Sequence, residues 1–225
     1  MKLRYGLIAI GTTALAPAVS MAEVSANVGY MSDYVFRGVF QEDSSAMAGL
    51  DYAHDSGFYA GTWAADVGEG LETDLYFGYG GEAGDFSYSI GYTGYFYTDD
   101  FDSEYNEINL GVGYAGFSLD IASGTWDGIV GDPATEEDYT FYSLGYAHDS
   151  GFYVTFGSWD WDTASSTADY LEVGYGFTWQ ELDFSFAIIN SSDLPLTEYG
   201  WEVPLDQGAD NIITFSISKS FTLAD

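Results

Sequence analysis

The sequence contains no cysteine, four prolines and only four lysine or arginine residues. Without cysteine there is no disulfide framework, and the redox compartment is left unmarked. Scarce proline together with 19% aromatic residues argues against a disordered chain, because disordered chains are poor in aromatics. The net charge is −32, so the cations that nucleic-acid phosphates require are missing. Nucleic acid is therefore excluded as a partner.

Long apolar runs are also missing, apart from a short one near the N-terminus. That run, Leu7 to Ala16, is too short to cross a bilayer as a helix. Lys2 and Arg4 precede it, and the small-x-small sequence Ser20-Met21-Ala22 follows it. This is the pattern of a secretory signal peptide.

We expect residues 1–22 to be removed by cleavage after Ala22, which leaves residues 23–225 as one exported domain. The leader carries two of the four cations, so its loss changes the net charge from −32 to −34. Arg37 and Lys219 are then the only lysine or arginine residues in the chain.

An eight-residue sequence, Tyr-Ala-His-Asp-Ser-Gly-Phe-Tyr, occurs twice, at Tyr52 to Tyr59 and at Tyr146 to Tyr153. Internal repeats of this kind bear on the whole fold. Asp-Ser-Gly favours a tight turn, because glycine readily takes the positive φ that closes a hairpin. Each copy is therefore predicted to form a strand, a short turn and a second strand.

Apolar and polar residues alternate along most of the remaining chain, which indicates strands. Short turns are predicted near residues 55, 82, 115, 150 and 180, and polar or acidic loops at 41–45, 99–104, 127–138, 162–167 and 191–210. Only the connection at 68–70 is short among the loops. Twelve strands are predicted, with cores at 24–37, 46–53, 58–66, 71–79, 86–96, 107–114, 117–121, 142–146, 152–161, 171–177, 182–188 and 213–221.

An even strand number, with short turns at one end and longer loops at the other, is typical of outer-membrane proteins. We therefore predict an all-β fold, a transmembrane antiparallel up-and-down β-barrel of about 12 strands. The two copies of the repeat join strands two and three and strands eight and nine. Their six-strand separation places both turns on one rim, which we expect to be periplasmic together with both termini.

A soluble β-sandwich would also show alternation, since its apolar face points inward. Three features favour the membrane barrel. The alternation runs over long segments, the apolar faces are rich in aromatics at both ends as interface girdles are, and the polar faces carry glycine, serine and threonine rather than lysine and glutamate.

Residues 32–63 carry a family resemblance. Ser32-Asp33-Tyr34-Val35-Phe36-Arg37-Gly38, together with Leu50-Asp51-Tyr52 and the segment His54 to Trp63, resembles the TorF family of porins. The resemblance implies an outer-membrane β-barrel of a Gram-negative bacterium with a role in transport. The C-terminus departs from the usual pattern of such barrels, because Phe221 is followed by Thr-Leu-Ala-Asp rather than ending the chain.

The two histidines, His54 and His148, occupy the same position in the two repeated turns. A catalytic site needs a nucleophile, a base and an orienting group that converge, and neither turn supplies them. We therefore expect no catalytic residue, no enzyme activity and no cofactor. No loop has the spacing of a calcium motif either, and whether the chain binds a metal stays open.

Arg37 has the strand parity that points into the barrel. It is interpreted either as one half of a buried ion pair that fixes the strands or as one wall of a constriction facing acids such as Asp51 or Glu107. The residues predicted to line a channel share this inward parity: Asp33, Arg37, Asp51, Glu72, Asp74, Glu107, Asp120, Glu172 and Asp183.

Because these acids outnumber the arginine, we predict a porin-like channel for passive diffusion of small hydrophilic solutes, with a preference for cations. The alternative is a non-conducting structural or surface-interaction barrel. Its acidic loops would bind ions or a partner, including divalent ions that bridge to lipid phosphates. Outer-membrane lipid and lipopolysaccharide are the expected surroundings, and the oligomeric state is left open.

Overall fold

The structure is a computed structural model that describes residues 22–162, 167–192 and 211–224. These ranges contain one short 3-10 helix, Pro133–Thr135, and twelve β-strands. The strands are β1 (Glu23–Phe36), β2 (Val39–Ala53), β3 (Phe58–Asp66), β4 (Leu71–Ala83), β5 (Phe86–Tyr97), β6 (Tyr105–Tyr114), β7 (Phe117–Trp126), β8 (Glu137–Ala147), β9 (Phe152–Trp161), β10 (Ala168–Trp179), β11 (Leu182–Ser191) and β12 (Asn211–Ala224).

Each strand pairs antiparallel with its neighbours in sequence, and β1 pairs with β12 to close the barrel. Closure removes the free sheet edges that a bilayer cannot accommodate. The predicted twelve-stranded up-and-down barrel is confirmed. Among the described residues, no helix has the length and hydropathy needed to cross a membrane.

The two ends of the barrel differ in their connections. We call one end the turn-side rim, because the five connections from β2–β3 to β10–β11 there are short. Glu23 pairs with Ala53 and Val24 with Ala224, so both ends of the described chain also lie at this rim. The other end, with the longer connections, is the loop-side rim.

The two copies of the repeat form the same turn, as predicted. The backbone N–H of Gly57 donates to the carbonyl of His54, and that of Gly151 to the carbonyl of His148, both at 2.9 Å. The glycines have φ of 97° and 98°. A Cβ on either one would overlap a backbone carbonyl of the next hairpin, that of Gly80 or Gly176. Glycine is therefore required at both positions for two reasons: the positive φ and the lack of space for a Cβ.

The outer surface carries a continuous apolar band. Ile213 is 70% exposed, Leu144 56% and Phe77 53%, and every strand contributes similar outward side chains. Soluble proteins rarely expose an apolar surface of this extent. Near the turn-side rim the band ends in aromatic residues: Tyr114, Phe117, Phe152 and Trp179. A bilayer-spanning barrel accounts for this surface, and a soluble sandwich does not.

The band stops before the loop-side rim. Beyond Ile108 on β6 the next outward residue is Asn106, and on β8 Thr140 and Asp138 follow Tyr142. Aromatic girdles were predicted at both ends of the barrel, but three tryptophans near the loop-side rim do not face lipid. Trp126, Trp159 and Trp161 are buried inside the barrel instead, on the strand face opposite the lipid.

The predicted loop at 41–45 is wrong, because these residues belong to β2. The chain reverses in a tight turn at Arg37 and Gly38, with φ of 49° and 83°. Residues 41–45 were predicted as a loop because they are polar, and they are polar because this part of β2 does not face lipid. Tyr34 and Phe36 have the parity opposite to Arg37 and would face lipid in a regular strand, but Tyr34 is 1% exposed and Phe36 packs inside.

Other strand ends were predicted too short at the loop-side rim, where β6, β7, β8 and β10 continue into predicted loops or beyond the predicted cores. Their outward residues are polar there, so the alternation that marks a lipid-facing strand is lost. The predicted leader, apart from Ala22, and most of the predicted loops at 162–167 and 191–210 lie outside the described residues.

Candidate functional site inside the barrel

The end of the β1–β2 hairpin leaves the barrel wall and enters the lumen. The last pair between β1 and β12 is Met31 with Ser216, and the last pair between β2 and β3 is Met47 with Ala65. Among the described strands, residues 32–46 between these points, here called the hairpin tip, have ladder partners only within the β1–β2 hairpin. A register shift between Tyr34 and Val35 marks a bulge, and bulges bend a hairpin in this way.

Side chains of the opposite wall receive the hairpin tip at its turn. Ser191 of β11 donates to the carbonyl of Gly38 at 2.7 Å, and the Trp159 indole of β9 donates to the carbonyl of Arg37 at 2.9 Å. A Cβ at Gly38 would lie 2.6 Å from the Cβ of Tyr170 on β10. The turn thus reaches across the lumen to β9, β10 and β11.

Where the tip departs, β12 keeps its hydrogen bonds through other groups. The backbone N–H of Phe215 donates to the hydroxyl of Ser32 at 2.9 Å, and Thr214 donates to the carbonyl of Asp33 at 3.1 Å. These contacts supply partners for polar groups that would otherwise be lost from the ladder.

Arg37 and Glu107 form a buried ion pair at the centre of this region. Nη1 of Arg37 donates to Oε2 of Glu107 at 2.9 Å, and Nη2 donates to Oε1 at 2.8 Å. The hydroxyls of Tyr95 and Tyr139 donate to the same two oxygens at 2.7 and 2.9 Å. Arg37 is 6% exposed and Glu107 1%. A bidentate pair with further donors is the arrangement in which burying two charges is tolerated.

Aromatic rings surround the guanidinium. Its central carbon lies 4.5 Å from the ring centre of Phe141, 4.8 Å from that of Phe36 and 5.4 Å from that of Trp159. Cation–π attraction strengthens when the cation is desolvated, as it is here. The same cluster continues through Tyr139, Trp161 and Tyr170 towards β10, so the loop-side half of the lumen is packed rather than open.

A second contact fixes the other face of the hairpin tip. The Tyr34 hydroxyl donates to Oε1 of Glu72 on β4 at 2.6 Å, and the Tyr34 ring packs edge-on against Trp63. Glu72 is 1% exposed. Asp74 lies two residues further along β4, on the same inward face. The tip is thus held between β4 on one side and β6, β8 and β9 on the other.

The turn-side half of the lumen is lined differently. Asp51 accepts hydrogen bonds from Asn27 and from the Tyr76 hydroxyl, and Glu172 accepts one from Tyr153 at 2.7 Å. Such carboxylates alternate with small residues, among them Ser185 and several glycines. This half of the lumen is polar and acidic.

The remaining predicted residues lie apart from one another. Asp120 accepts from Ser143 at 3.5 Å and, with Arg37, lines a cavity of about 10 Å³. Asp183 accepts from Thr178 near the turn-side rim, and Asp33 lies on the hairpin tip, where it accepts from Ser32. Of the nine predicted residues, the structure therefore brings together Arg37 and Glu107 as partners and adds Asp120 beside them.

The aromatic residues around Arg37 were not predicted from the sequence. Tyr95, Tyr139, Phe141 and Trp159 all lie on the inward parity, which was interpreted as polar throughout. The signal was present, because the inward residues of β8 and β9 become aromatic towards the loop-side rim. Aromatic side chains that face the inside of a barrel need a packing partner there, and here that partner is the hairpin tip.

The two histidines have a structural role in the described turns. In each turn the histidine Nδ1 accepts from the backbone N–H two residues on, Ser56 or Ser150, at 3.1 Å. The His54 side chain is 42% exposed and His148 is exposed, and both lie at the turn-side rim, away from the loop-side half of the lumen that holds Arg37. Among the described residues, no group of three or more histidine, cysteine, aspartate or glutamate side chains could hold a metal ion.

The Asp102 carboxyl, which lies outside the membrane-spanning strands, has a shifted pKa. Burial raises the pKa of the Asp102 carboxyl, in the β5–β6 loop, to about 6. Hydrogen bonds from Tyr105, Trp126 and Ser103 act in the opposite direction because they stabilise the carboxylate. Asp102 thus ties the loop to the mouth of the barrel through Tyr105 at 2.8 Å and Trp126 at 3.0 Å.

The closed wall, the apolar outer band and the polar, partly filled lumen define a twelve-stranded antiparallel membrane β-barrel. Within that class, the chain belongs to the family described as "Bacterial protein of unknown function (Gcw_chp)", whose match covers residues 15–142, more than half of the sequence. The residues that carried the resemblance to TorF lie inside this range, but the TorF name itself is not confirmed. No curated protein matches the chain in sequence.

Two of the solved structures with a similar fold are of a porin. The KdgM porin matches with a TM-score of 0.55 at 7% identity, over 89% of this chain and 99% of that one. A structure titled "KdgM porin in complex with disordered oligogalacturonate" matches with a TM-score of 0.52 at 8% identity, over the same shares. OprD from Pseudomonas aeruginosa gives 0.46 at 11% identity, over 89% and 66%. At these identities the likeness concerns the fold.

Proposed function

We propose that this protein is an outer-membrane channel for small hydrophilic solutes, that it prefers cations, and that the hairpin tip closes its loop-side half in the state described. The observation that carries the proposal is the charge of the lumen. Lys219 lies on the outer surface beside Glu181, so Arg37 faces the predicted inward carboxylates alone. These are Asp33, Asp51, Glu72, Asp74, Glu107, Asp120, Glu172 and Asp183.

The proposed location is the outer membrane of a Gram-negative bacterium, reached by means of the leader 1–22. In such barrels the short turns are periplasmic and the longer loops extracellular. The turn-side rim, with both chain ends, is then periplasmic, and the outer band contacts lipid and lipopolysaccharide. The hairpin tip closes the barrel from the extracellular side.

The proposed solutes are neutral or cationic. KdgM is reported in complex with oligogalacturonate, which is an acidic oligosaccharide. A lumen dominated by carboxylates repels such a polyanion and attracts cations. The fold is shared, but the charge of the lumen favours a different solute.

A non-conducting structural barrel is the second candidate. The observation that favours it is the packing of the loop-side half, where Tyr34, Trp126, Phe141 and Trp159 are each 4% exposed or less. If the hairpin tip never leaves, no solute larger than water passes.

Planar-bilayer recording and liposome swelling separate the two candidates. We expect the unaltered protein to show brief, cation-preferring openings, and the Glu107→Gln variant to show frequent ones, because it weakens the grip on the tip. Heat-modifiable migration on SDS gels first establishes that each sample is a folded barrel. Anion preference in the openings contradicts the charge argument, and sealed liposomes for both proteins support the structural barrel.

A further inference from the structure

The Arg37 side chain occupies a receptor-like site built by the barrel wall. Its guanidinium meets a carboxylate in bidentate geometry, at 2.9 and 2.8 Å, and the ring faces of Phe141 and Trp159 at 4.5 and 5.4 Å. Carboxylate and aromatic faces together are the groups that recognise an organic cation. Of the rings around the guanidinium, only that of Phe36 belongs to the hairpin tip.

Apart from the Trp159 indole, which donates to the carbonyl of Arg37, the wall holds its part of this site through contacts among its own residues. Tyr95 on β5 and Tyr139 on β8 donate to the two oxygens of Glu107 and fix the carboxylate in place. Tyr139 also packs against Trp159, with ring centres 5.4 Å apart, and Phe141 packs against Trp159 at 4.9 Å. These five residues, here called the cation cage, lie on β5, β6, β8 and β9, whose ladders do not involve the tip.

The tip can leave without breaking the wall. Beyond Met31 and Met47 it makes no backbone ladder with β12 or β3. Its attachments are the Arg37 ion pair, side-chain hydrogen bonds such as those of Ser191 and Tyr34, and the packing of tip side chains such as Val35 against the wall. Departure of Arg37, however, strands a buried carboxylate, which is costly unless another cation replaces it.

We propose that the cation cage, formed by Glu107, Tyr95, Tyr139, Phe141 and Trp159, is a binding site for small organic cations, and that Arg37 is its tethered occupant. Guanidinium compounds fit better than ammonium compounds, since a planar guanidinium donates to both carboxylate oxygens at once. A soluble guanidinium competes with Arg37 and favours the released tip. This last step rests on the proposed channel function; binding to the cage does not.

The position of the cage suits a solute that arrives from the loop-side mouth. Glu107 lies between Asn106 and Ile108, at the edge of the apolar outer band, so the cage sits at the level where the barrel leaves the lipid. Behind it, the turn-side half continues with the carboxylates Asp51 and Glu172. A cation released from the cage therefore meets further acids along the lumen.

The test uses the full-length processed barrel in detergent, with Arg37→Ala to empty the cage. Methylguanidinium at millimolar concentration is the probe, methylammonium the competitor, and sodium chloride keeps the ionic strength constant. Binding is measured by calorimetry and by tryptophan fluorescence, with Trp159→Phe to assign the signal. We expect Arg37→Ala to bind methylguanidinium about tenfold more tightly than the unaltered protein and than it binds methylammonium.

Matched variants locate the binding. Adding Glu107→Gln to Arg37→Ala should abolish it, whereas adding Glu172→Gln, the same chemical change in the turn-side half, should leave it intact. Should Arg37→Ala fail to give a heat-modifiable barrel, Arg37→Gln is tested in the same way and decides the matter. No difference between the Glu107 and Glu172 variants, or no binding, overturns the proposed site.

Recordings on the same variants separate the two proposals. Methylguanidinium should raise the open probability of the unaltered protein at constant ionic strength, and should have no such effect on Glu107→Gln. Glu107-dependent binding without any current supports the cation cage and contradicts the channel. Current that methylguanidinium leaves unchanged, together with absent binding, supports the channel and overturns the cage.

Discussion

The two halves of the lumen are built from the same twelve strands and yet differ in kind. Towards the turn-side rim the inward side chains are mostly small or acidic, as with Ser185 and Glu172, and tyrosines such as Tyr153 donate to the acids. Towards the loop-side rim they are large, aromatic and packed around the hairpin tip, as with Phe141 and Trp159. Lipid dictates only the outward parity of a strand, so the inward parity is free to be open in one half and filled in the other.

Release of the hairpin tip should have the largest effect on the difference between the two halves of the lumen. Glu107→Gln leaves the Arg37 guanidinium buried without its partner, which costs about 3–5 kcal/mol. Arg37 and Lys219 are the only lysine or arginine residues after the leader, so trypsin reports directly on Arg37. We expect cleavage after Arg37 in the folded barrel to accelerate by about two orders of magnitude.

The matched control for tip release is Glu172→Gln. It removes an inward carboxylate of the turn-side half, whose partner is Tyr153 rather than the tip. Cleavage after Arg37 should stay at the level of the unaltered protein. If cleavage after Arg37 accelerates equally in both variants, Glu107 does not fix the hairpin tip in the loop-side half.

The repeated turns provide an internal comparison at the turn-side rim. Gly57→Ala and Gly151→Ala each force a Cβ into a positive-φ position and against the carbonyl of Gly80 or Gly176. We expect each to lower the free energy of unfolding by about 1–3 kcal/mol, and to do so equally. Urea unfolding followed by gel migration measures it. Gly84→Ala is the control, since its φ is +68° but nothing lies within 4 Å of the added carbon.

The charge of the turn-side half sets ion preference in the proposed channel. Asp51→Asn combined with Glu172→Gln, in the Arg37→Ala background, should lower the cation-to-anion permeability ratio by about twofold, because other carboxylates remain. Reversal potentials across a salt gradient measure it. Tryptophan fluorescence of the loop-side cluster should not change, and an unchanged ratio would show that these carboxylates do not face the conducting path.

The smallest expected effect concerns pH at the loop-side mouth. Burial raises the pKa of Asp102 to about 6, above the ordinary value of 3.8. The folded state therefore binds a proton that the unfolded chain releases between these values, so stability falls as pH rises from about 4 to about 6. We expect Asp102→Asn to flatten this part of the pH dependence of the unfolding midpoint. An unchanged slope would exclude Asp102 as its source.

The barrel was predictable from the sequence because lipid imposes a strict rule on outward residues. Strands such as β5 and β11 alternate cleanly, and the repeated turn at Gly57 and Gly151 placed two hairpins on one rim. A buried ion pair of Arg37 was predicted without its partner, and Asp51 and Glu107 were named only as examples of acids across a constriction. Identifying the partner required the shape of the hairpin, because Arg37 lies 70 residues from Glu107 in sequence.

The hairpin tip itself was not predictable by parity. Parity assumes that a strand stays in the wall, and beyond Met31 the β1 strand does not. The bulge at Tyr34 shifts the register, after which Val35 and Arg37 are both buried. Polar residues at 41–45 then indicated a loop, although they continue β2. The aromatic inward faces of β8 and β9 were the available sign of an internal partner.

Limited proteolysis of the otherwise unaltered barrel tests the central claim most directly. A Lys219→Gln background leaves Arg37 as the only lysine or arginine after the leader. If the hairpin tip fills the loop-side half of the lumen, trypsin should leave the folded barrel uncut and cleave after Arg37 once the barrel is unfolded by heat. Cleavage of the folded, heat-modifiable barrel after Arg37 at the rate of the unfolded chain would contradict the account.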